Sequence, residues 1–306
     1  MTISSTSTSA FYERATMDLS ALRKQAEGLQ GQLSSGSRLS RSSDNPVAAS
    51  RLRTLARATE MSNVDVANAN RATADLKLTD TALSTFADYV TRARELTIQA
   101  SNGTLTTSQR ASIGGELLQI HGSLYALANT RDSTGHALFG GQTAGSAYTL
   151  DGAGNAVYSG TATTEDLPLG DGQSVKRGLT GPEFLGFSVN GNPTDLMAVI
   201  KTLGDALMGA VADPAQAARD ALSPLSDALD TVTTGQTQIG ARLAWIELTN
   251  DRRTTLSELH AGEEADLGAT DLGSTIAELQ QVMLVLEASQ ASFVKLASLS
   301  LFEMIR

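Results

Sequence analysis

The 306-residue chain contains no cysteine. Without thiols it can form no disulfide, no thiolate nucleophile and no Cys-ligated zinc site. It also has few aromatic residues (4%) and only six prolines. Ala, Leu, Ser and Thr dominate instead, which is typical of long helices packed through small and aliphatic side chains rather than of an enzyme built around an aromatic pocket.

Long apolar runs and a positive net charge are also missing. The densest apolar run extends only from Val282 to Leu286, far short of the ~20 residues that a helix needs to cross a bilayer. The opening MTISSTSTSAFYER is polar, so a cleavable secretion signal is not expected. The net charge of −10 repels nucleic acid and anionic membranes. We therefore expect no nucleic-acid partner and no membrane insertion.

No motif indicates a catalytic, cofactor or metal site. His121, His136 and His260 lack ligand spacing and are interpreted as surface or partner-contact residues. The DGAGN segment at 151–155 lacks the later acidic positions of a calcium loop, so a hairpin turn is favoured. Phosphate-binding, nucleophile-elbow and dinucleotide fingerprints are absent. The expectation is no cofactor, no metal and no enzyme activity.

The first helical segment carries a regular apolar heptad pattern. The pattern stops at the breaker run SSGSRLSRSSDNP. Pro46 then opens a second helix, with Ser43, Asp44 or Asn45 as its cap. The heptad positions are Tyr12, Ala15, Leu19, Leu22, Ala26, Leu29 and Leu33.

The second helix is predicted to continue to about Asn102. Asn102-Gly103-Thr104 fits the N-glycosylation acceptor pattern, but a helix-ending turn is favoured. A third helix is predicted from 107 or 108 to about 130. Its Gly114-Gly115 pair costs roughly 1 kcal/mol per glycine relative to alanine, which favours a close helix contact there.

The composition changes between about 135 and 192, where glycine becomes frequent. Asp151-Gly152, Asp171-Gly172 and Asn190-Gly191 are hairpin-turn dipeptides, so this segment is predicted to be a small β-rich insertion that leans on neighbouring helices. Helical patterns return after Pro193, and Asp213-Pro214 reads as the cap and first residue of a last helical region. Trp245 in that region is expected to lie in the core.

A second heptad seam lies near the other end of the chain. The two ends also differ in charge: residues 1–60 carry three more basic than acidic side chains, whereas 251–306 carry five more acidic than basic ones. This difference favours pairing of the two ends and sets their register more than their stability. The C-terminal seam positions are Leu272, Ile276, Leu279, Met283, Leu286, Gln290, Phe293, Ala297 and Ser300.

These patterns predict a mainly α fold with a β-rich insertion. Residues 1–45 and 265–306 are predicted to form coiled-coil-like helical arms, 46–140 and 193–264 a long helical bundle or rod, and 141–192 a small outer β domain. An isolated helix cannot bury such a seam, so we expect the arms to serve assembly and to become ordered on assembly, with an ordinary intramolecular bundle as the alternative. The predicted assembly seam consists of Tyr12, Leu19, Leu22, Leu29, Leu33, Leu272, Ile276, Leu279, Met283, Leu286 and Phe293.

Several segments resemble junction proteins of the bacterial flagellin superfamily. LSSGSRLSRSSDNPVAAS at 33–50 resembles the start of flagellins and hook–filament junction proteins, and its DNPVA portion is similar to the junction type. LANTRDSTGHALFGGQT at 127–143 resembles the junction family's turn out of its helical domain, and DGAGNAVYSG its first outer hairpin. The ending ASFVKLASLSLFEMIR is similar to the family's Leu-Ser-Leu-Phe terminus.

The resemblance implies a structural subunit of the flagellum that joins the hook-associated layer to the flagellin filament. It implies type III export with an uncleaved signal, a role that suits the polar segment from Thr2 to Ala10, and an extracellular location at the hook–filament junction. Implied partners are further copies in a ring-like layer, the first hook-associated protein, flagellin, and a cytoplasmic export chaperone on the C-terminal arm. The alternatives are a flagellin-type filament subunit and, less favoured, a surface adhesin or glycan-binding protein.

Overall fold

The computed structural model describes the backbone of residues 3–132 and 134–304, and the side chains of 10–132 and 134–296. Most of the predicted export segment, the predicted seam positions Ala297 and Ser300, and the Leu-Ser-Leu-Phe terminus therefore have side chains outside the described residues. In the part of the chain that is described, no helix combines the length and apolar character that membrane crossing requires.

Seven α-helices, a short π-helical segment (Ala206–Ala210) and six short strands form the described chain, so the predicted mainly α fold with a β-rich insertion is confirmed. Five helices (α1, α2, α3, α6 and α7) are long, and the strands all lie between α3 and α5. The helices are α1 Ile3–Ser35, α2 Pro46–Ala100, α3 Thr107–Ala128, α4 Gly181–Leu185, α5 Leu196–Asp205, α6 Pro214–Gly268 and α7 Leu272–Met304. The strands are β1 Tyr148–Leu150, β2 Ala156–Tyr158, β3 Asp166–Gly170, β4 Gln173–Lys176, β5 Gly186–Val189 and β6 Asn192–Asp195.

The helix ends follow local capping chemistry. Of the three predicted caps for α2, Asn45 serves, because its Oδ1 accepts a hydrogen bond from the Ala48 amide at 3.0 Å. Thr106 caps α3 in a capping box with Gln109. Asp213 Oδ1 accepts the amide of Gln216 at 3.0 Å at the start of α6, as predicted. Each cap satisfies a backbone donor that the helix itself leaves open.

The strands form three separate antiparallel hairpins, β1–β2, β3–β4 and β5–β6. Asp171-Gly172 and Asn190-Gly191 each have two successive positive φ angles (53° and 73°, 51° and 83°), the conformation of a tight primed turn. Asp151-Gly152 instead opens a longer loop in which the Asp151 carboxylate accepts the amides of Ala153 and Asn155. The predicted dipeptides thus mark all three hairpins, but the first turn is longer than two residues.

The chain divides into two compact units. Unit 1 comprises residues 1–60 and 255–306, and unit 2 comprises residues 61–254. The boundaries fall within α2 and α6, whereas the sequence predicted boundaries near 45 and 265. The predicted division into arms, rod and outer domain stays a prediction.

Unit 2 is organised around one large apolar core. Its centre holds three fully buried aromatic rings: Phe86 of α2 lies 5.9 Å from Phe139 and 5.1 Å from Phe184 between ring centroids. Leu169 of β3 and Val175 of β4 belong to the same buried cluster. The insertion therefore shares its core with the helices, as expected for a segment of this size.

The contact between α3 and α5 is unusually close at two glycines. A Cβ on Gly114 would lie 2.8 Å from the Gly204 carbonyl oxygen, and one on Gly204 would lie 2.8 Å from the Leu118 side chain. Gly115 has open space instead. The predicted close contact thus involves the first glycine of the pair.

Two expectations about single residues are wrong. Trp245 is expected in the core but is 42% exposed on α6, because it lies to one side of the helix face that buries Ile239 and Ile246. His121 was expected at the surface but is only 8% exposed. It falls on the apolar face of α3, one residue after Ile120 and three before Leu124.

Candidate assembly surface

All five predicted seam residues of α1 lie on its packed face. Leu29 is buried, and Tyr12, Leu19, Leu22 and Leu33 are partly buried. Their shared environment follows from the three-four spacing, which keeps positions on one side of a helix. The N-terminal half of the predicted seam therefore forms one continuous stripe.

The partner of this stripe is α7. Ala26 and Leu29 of α1 form a small buried cluster with Val282 of α7, and Leu22 and Leu279 pack against it. Farther along, the Tyr12 and Phe293 rings meet edge to face with centroids 5.5 Å apart. The two terminal helices thus pair along much of their length.

On α7 only three of the six predicted seam residues pack in this way. Leu286 is buried, and Leu279 and Phe293 are partly buried. The packed face also contains Thr275 and Val282, which are 7% and 6% exposed. We call Thr275, Leu279, Val282, Leu286 and Phe293 the packed stripe.

The other three predicted residues remain open to solvent. Leu272, Ile276 and Met283 are 55%, 45% and 51% exposed. They lie on a neighbouring face of α7 together with Val294, which is 66% exposed. We call Leu272, Ile276, Met283 and Val294 the free stripe. Because α7 is apolar on more than one side, two heptad-spaced stripes exist, and the sequence prediction merged them.

Unit 1 is held together by polar contacts as well. The Arg51 guanidinium makes a two-pronged ion pair with Glu263, at 2.5 Å from Nε and 2.7 Å from Nη2. This hydrogen bond and the arginine charge lower the pKa of the Glu263 carboxyl below its usual value. Gln25 Nε2 donates to Glu278 Oε1 at 3.3 Å. A basic N-terminal and an acidic C-terminal segment therefore meet, as the charge pattern predicts.

The breaker run after α1 pairs with the short connection between α6 and α7. The Arg38 amide donates to the Gly268 carbonyl at 2.8 Å, and the Thr270 amide donates to the Gly36 carbonyl at 3.0 Å. Arg38 Nη2 also reaches the Leu267 carbonyl at 2.9 Å. These bonds hold the end of α1 beside the start of α7, where the packing between the two helices begins.

A second polar cluster lies in unit 2 and was not predicted. Arg177 Nε binds Asp75 Oδ2 of α2 at 2.5 Å, and its Nη2 binds Asp132, which follows α3. Both carboxylates are 5% exposed. Burial opposes the charge on Arg177, but the hydrogen bond to Asp75 and the charge of Asp132 leave the arginine pKa raised. No spacing in the sequence connects these three positions, so no local signal could have found the cluster.

The Arg177 cluster lines a cavity of about 420 Å³. Its charges are mutually satisfied, and the Asp132 carboxylate additionally accepts the Thr134 and His136 amides. Across the residues that the structure describes, no three His, Cys, Asp or Glu side chains are grouped to hold a metal ion. The arrangement ties α2 and the segment after α3 to the residue that follows β4, which is a structural role.

The sequence comparisons point to flagellar proteins. Residues 6–144 match the family described as the bacterial flagellin N-terminal helical region. Flagellar hook-associated protein 3 of Escherichia coli (strain K12) is 28% identical over 290 residues, covering 89% of this chain and 90% of that protein. The protein of the same name from Salmonella typhimurium is 25% identical and covers 98% of this chain and 99% of its own length.

Solved structures show the same fold. A putative flagellar hook-associated protein from Vibrio parahaemolyticus matches with a TM-score of 0.68 at 21% identity, covering 74% of this chain and all of that one. The flagellar junction protein FlgL from Legionella pneumophila matches with a TM-score of 0.60 at 15% identity, over 72% of this chain and all of that one. At these identities the solved structures show a similarity of fold alone. The similarity in sequence is that to the Escherichia coli and Salmonella typhimurium proteins.

Proposed function

We propose that this chain, a member of the flagellin superfamily related along its length to flagellar hook-associated protein 3, is a structural subunit of the bacterial flagellum at the hook–filament junction. The relationship spans about nine-tenths or more of both proteins for the two relatives above. The resemblance to junction proteins rests on segments near both chain ends and on two segments in the middle of the chain. The two terminal helices, α1 and α7, pair with each other in unit 1.

The observation that carries the assembly role is the free stripe. Leu272, Ile276 and Met283 are large apolar side chains that the subunit does not cover. Large apolar side chains that line one face of a helix and stay exposed are typical of a surface that contacts another molecule. We infer that the packed stripe joins α7 to α1 within a subunit, and that the free stripe joins α7 to a neighbouring copy.

The remaining partners follow from the proposed position. The first hook-associated protein lies on one side of the subunit layer and flagellin on the other, and a cytoplasmic chaperone covers the apolar C-terminal arm before export. The subunit leaves the cell by type III export and acts outside it. We propose no catalytic role, because the polar clusters described above are paired with one another rather than presented to a substrate.

A substitution in the free stripe tests this function. We expect Ile276→Ser with Met283→Ser to leave the free subunit folded, because both side chains are already half exposed. The same variant is expected to lose attachment to isolated hooks and to shed filaments in a strain that lacks the native gene. Leu150→Ser with Val157→Ser, at 50% and 48% exposure on the β1–β2 hairpin, is the matched control. Normal motility of the α7 variant would contradict the proposal.

The proposed ordering of the arms on assembly has a separate test. The buried cluster between α1 and α7 is small, so the pair is expected to be marginal in a free subunit and to gain stability from neighbours. Circular dichroism of the full chain and of a form truncated to residues 61–254 would measure the helicity of the arms. Arms that are fully helical and slow to exchange at low concentration would contradict this view.

The flagellin-type alternative is separated by polymerisation. A filament subunit forms long filaments when purified alone, whereas a junction subunit is expected to polymerise little without hooks. The adhesin alternative cannot be tested by deleting 141–192, because Leu167, Leu169 and Phe184 belong to the central core of unit 2. Surface substitutions on the hairpins, such as the Leu150 and Val157 control, test it without unfolding the unit.

A further inference from the structure

In the turn between α2 and α3, the side-chain oxygen of Asn102 accepts two hydrogen bonds. Asn102 Oδ1 accepts the Thr104 backbone amide at 3.1 Å and the Thr104 hydroxyl at 2.9 Å. Asn102, Gly103 and Thr104 are all exposed. The carboxamide carbon of Asn102 is therefore polarised by both donors at a position that water can reach.

Gly103, between Asn102 and Thr104, leaves its backbone amide nitrogen unhindered. A Cβ on Gly103 would meet nothing within 4 Å, and the Gly103 amide donates no hydrogen bond among the described residues. A glycine amide next to an asparagine side chain is the least hindered backbone nucleophile that a chain can present to a carboxamide. The Asn102 Nδ2 group is likewise not held by any described residue, so it is free to leave.

We propose that Asn102 is a self-assisted deamidation site. The Gly103 amide nitrogen forms a bond to Asn102 Cγ and gives up its proton, Nδ2 leaves as ammonia, and a succinimide ring results. Water then opens the ring at either carbonyl to give aspartate or isoaspartate. Negative charge develops on Oδ1 in the tetrahedral intermediate, where the two Thr104 donors already point, in the manner of a small oxyanion hole.

The surroundings also favour the negatively charged product. Arg110 Nη2 lies 3.1 Å from the Asn102 carbonyl oxygen, and Arg219 Nη1 lies 3.1 Å from that of Ser101. Two full positive charges at the turn outweigh the partial negative charge at the C-terminal end of α2, which is worth about half a charge. The isoaspartate form lengthens the backbone next to the Thr106 cap, so it is expected to loosen the start of α3.

The chain contains an internal comparison at Asn190-Gly191. This dipeptide has the same sequence chemistry, but it is held in the tight β5–β6 turn with positive φ at both residues. The residue two positions on, Asn192, pairs with Val189 in the hairpin ladder. No described residue donates to the Asn190 side-chain oxygen, so the assisting donors are missing there. The proposal is independent of the flagellar function.

Incubation of the full-length protein in mildly alkaline buffer, followed by peptide mass mapping and enzymatic isoaspartate detection, tests the proposal. We expect Asn102 to convert faster than Asn190 in the same sample. Thr104→Val should slow conversion at Asn102 about fivefold, the factor that one exposed hydrogen bond supplies, while Thr104→Ser should retain the rate. Gly103→Ala should slow it further.

Three results would overturn the proposal. Equal rates at Asn102 and Asn190 would show that the turn gives no assistance. An unchanged rate in Thr104→Val would remove the hydroxyl from the mechanism. A glycan attached to Asn102 in protein isolated from the producing cells would assign the tripeptide to glycosylation instead.

Discussion

The two units of this chain bury their apolar residues in very different ways. Unit 2 gathers side chains from four helices and the insertion into one cluster with fully buried phenylalanines at its centre. Among the residues that the structure describes, the corresponding cluster of unit 1, between α1 and α7, has three buried members, Ala26, Leu29 and Val282. Unit 1 also exposes the four large apolar residues of the free stripe on one face of α7.

The difference indicates which part of the chain buries its apolar helix faces without a neighbouring molecule. A helix gains most of its stability by packing its apolar face, and unit 2 does so internally. Unit 1 packs one stripe of α7 and leaves the other, so its stability is expected to depend on neighbouring copies. Four predictions follow this contrast, from the largest expected effect to the smallest.

The Arg177 cluster should be the most sensitive point of unit 2. Arg177→Ala leaves the nearly buried carboxylates of Asp75 and Asp132 without their partner, which typically costs about 3–5 kcal/mol. Denaturant unfolding of the free subunit would measure this loss. Arg92→Ala is the control, because its ion pair with Glu116 is exposed and is worth at most ~1 kcal/mol. Equal losses of unfolding free energy for the two substitutions would show that the Arg177 cluster contributes no more to stability than an exposed ion pair.

Unit 1 should respond locally rather than globally. Leu29→Ala removes a central member of a small cluster, and a Leu-to-Ala change in a core costs ~2 kcal/mol or more. We expect the remaining hydrogen-exchange protection of 20–33 and 276–290 to disappear while unit 2 keeps its own. Met17→Ala, at 70% exposure on the same helix, should change nothing. A parallel loss of protection in unit 2 would mean that the units do not unfold separately.

The glycine pair in α3 tests how closely α3 and α5 pack in unit 2. Gly114→Ala would force a Cβ to within 2.8 Å of the Gly204 oxygen and should destabilise the subunit by about 1–3 kcal/mol. Gly115→Ala meets open space and should stabilise it by up to ~1 kcal/mol. Thermal unfolding of both variants gives the comparison. The same sign for both would show that the helices can separate at little cost.

His121 should give unit 2 a weak pH dependence. Burial and the nearby Lys201 lower its pKa in the folded state from the ordinary 6.5, although Asp195 and Asp205 oppose the shift. Below pH 6.5 the unfolded chain takes up a proton that the folded chain resists, so stability is full above this pH and falls as pH decreases through it. His121→Phe should flatten this part of the stability profile relative to the native chain. An unchanged profile would rule out His121 as its source.

The sequence predicted the elements well because their signals are local. Pro46, the Asp213 cap and the two tight primed turns depend on residues within a few positions of each other. The five α1 seam residues share one packed face for the same reason, since one heptad pattern on a mostly polar helix has only one face to bury. Their role in assembly stays a prediction. The starts of α2 and α3 follow directly from such signals, and their ends lie within about two residues of the predicted positions.

The candidate site was predicted less completely because α7 offers two apolar stripes. Heptad spacing is satisfied both by Leu272, Ile276 and Met283 and by Thr275, Leu279 and Val282, and spacing alone does not say which stripe meets α1. The exposure of Trp245 and the burial of His121 were missed on similar grounds. A residue type sets only a general preference for burial, and the neighbouring helices decide the outcome.

The sequence by itself determined where α2, α3 and α6 begin, where the hairpins turn, and that both chain ends carry apolar seams, because each depends on interactions within a few residues. The tertiary structure alone decided which stripe of α7 is packed and that Arg177 joins Asp75 and Asp132 across 102 and 45 residues. Contacts of this kind form between faces that the fold brings together, and no periodicity along the chain records them.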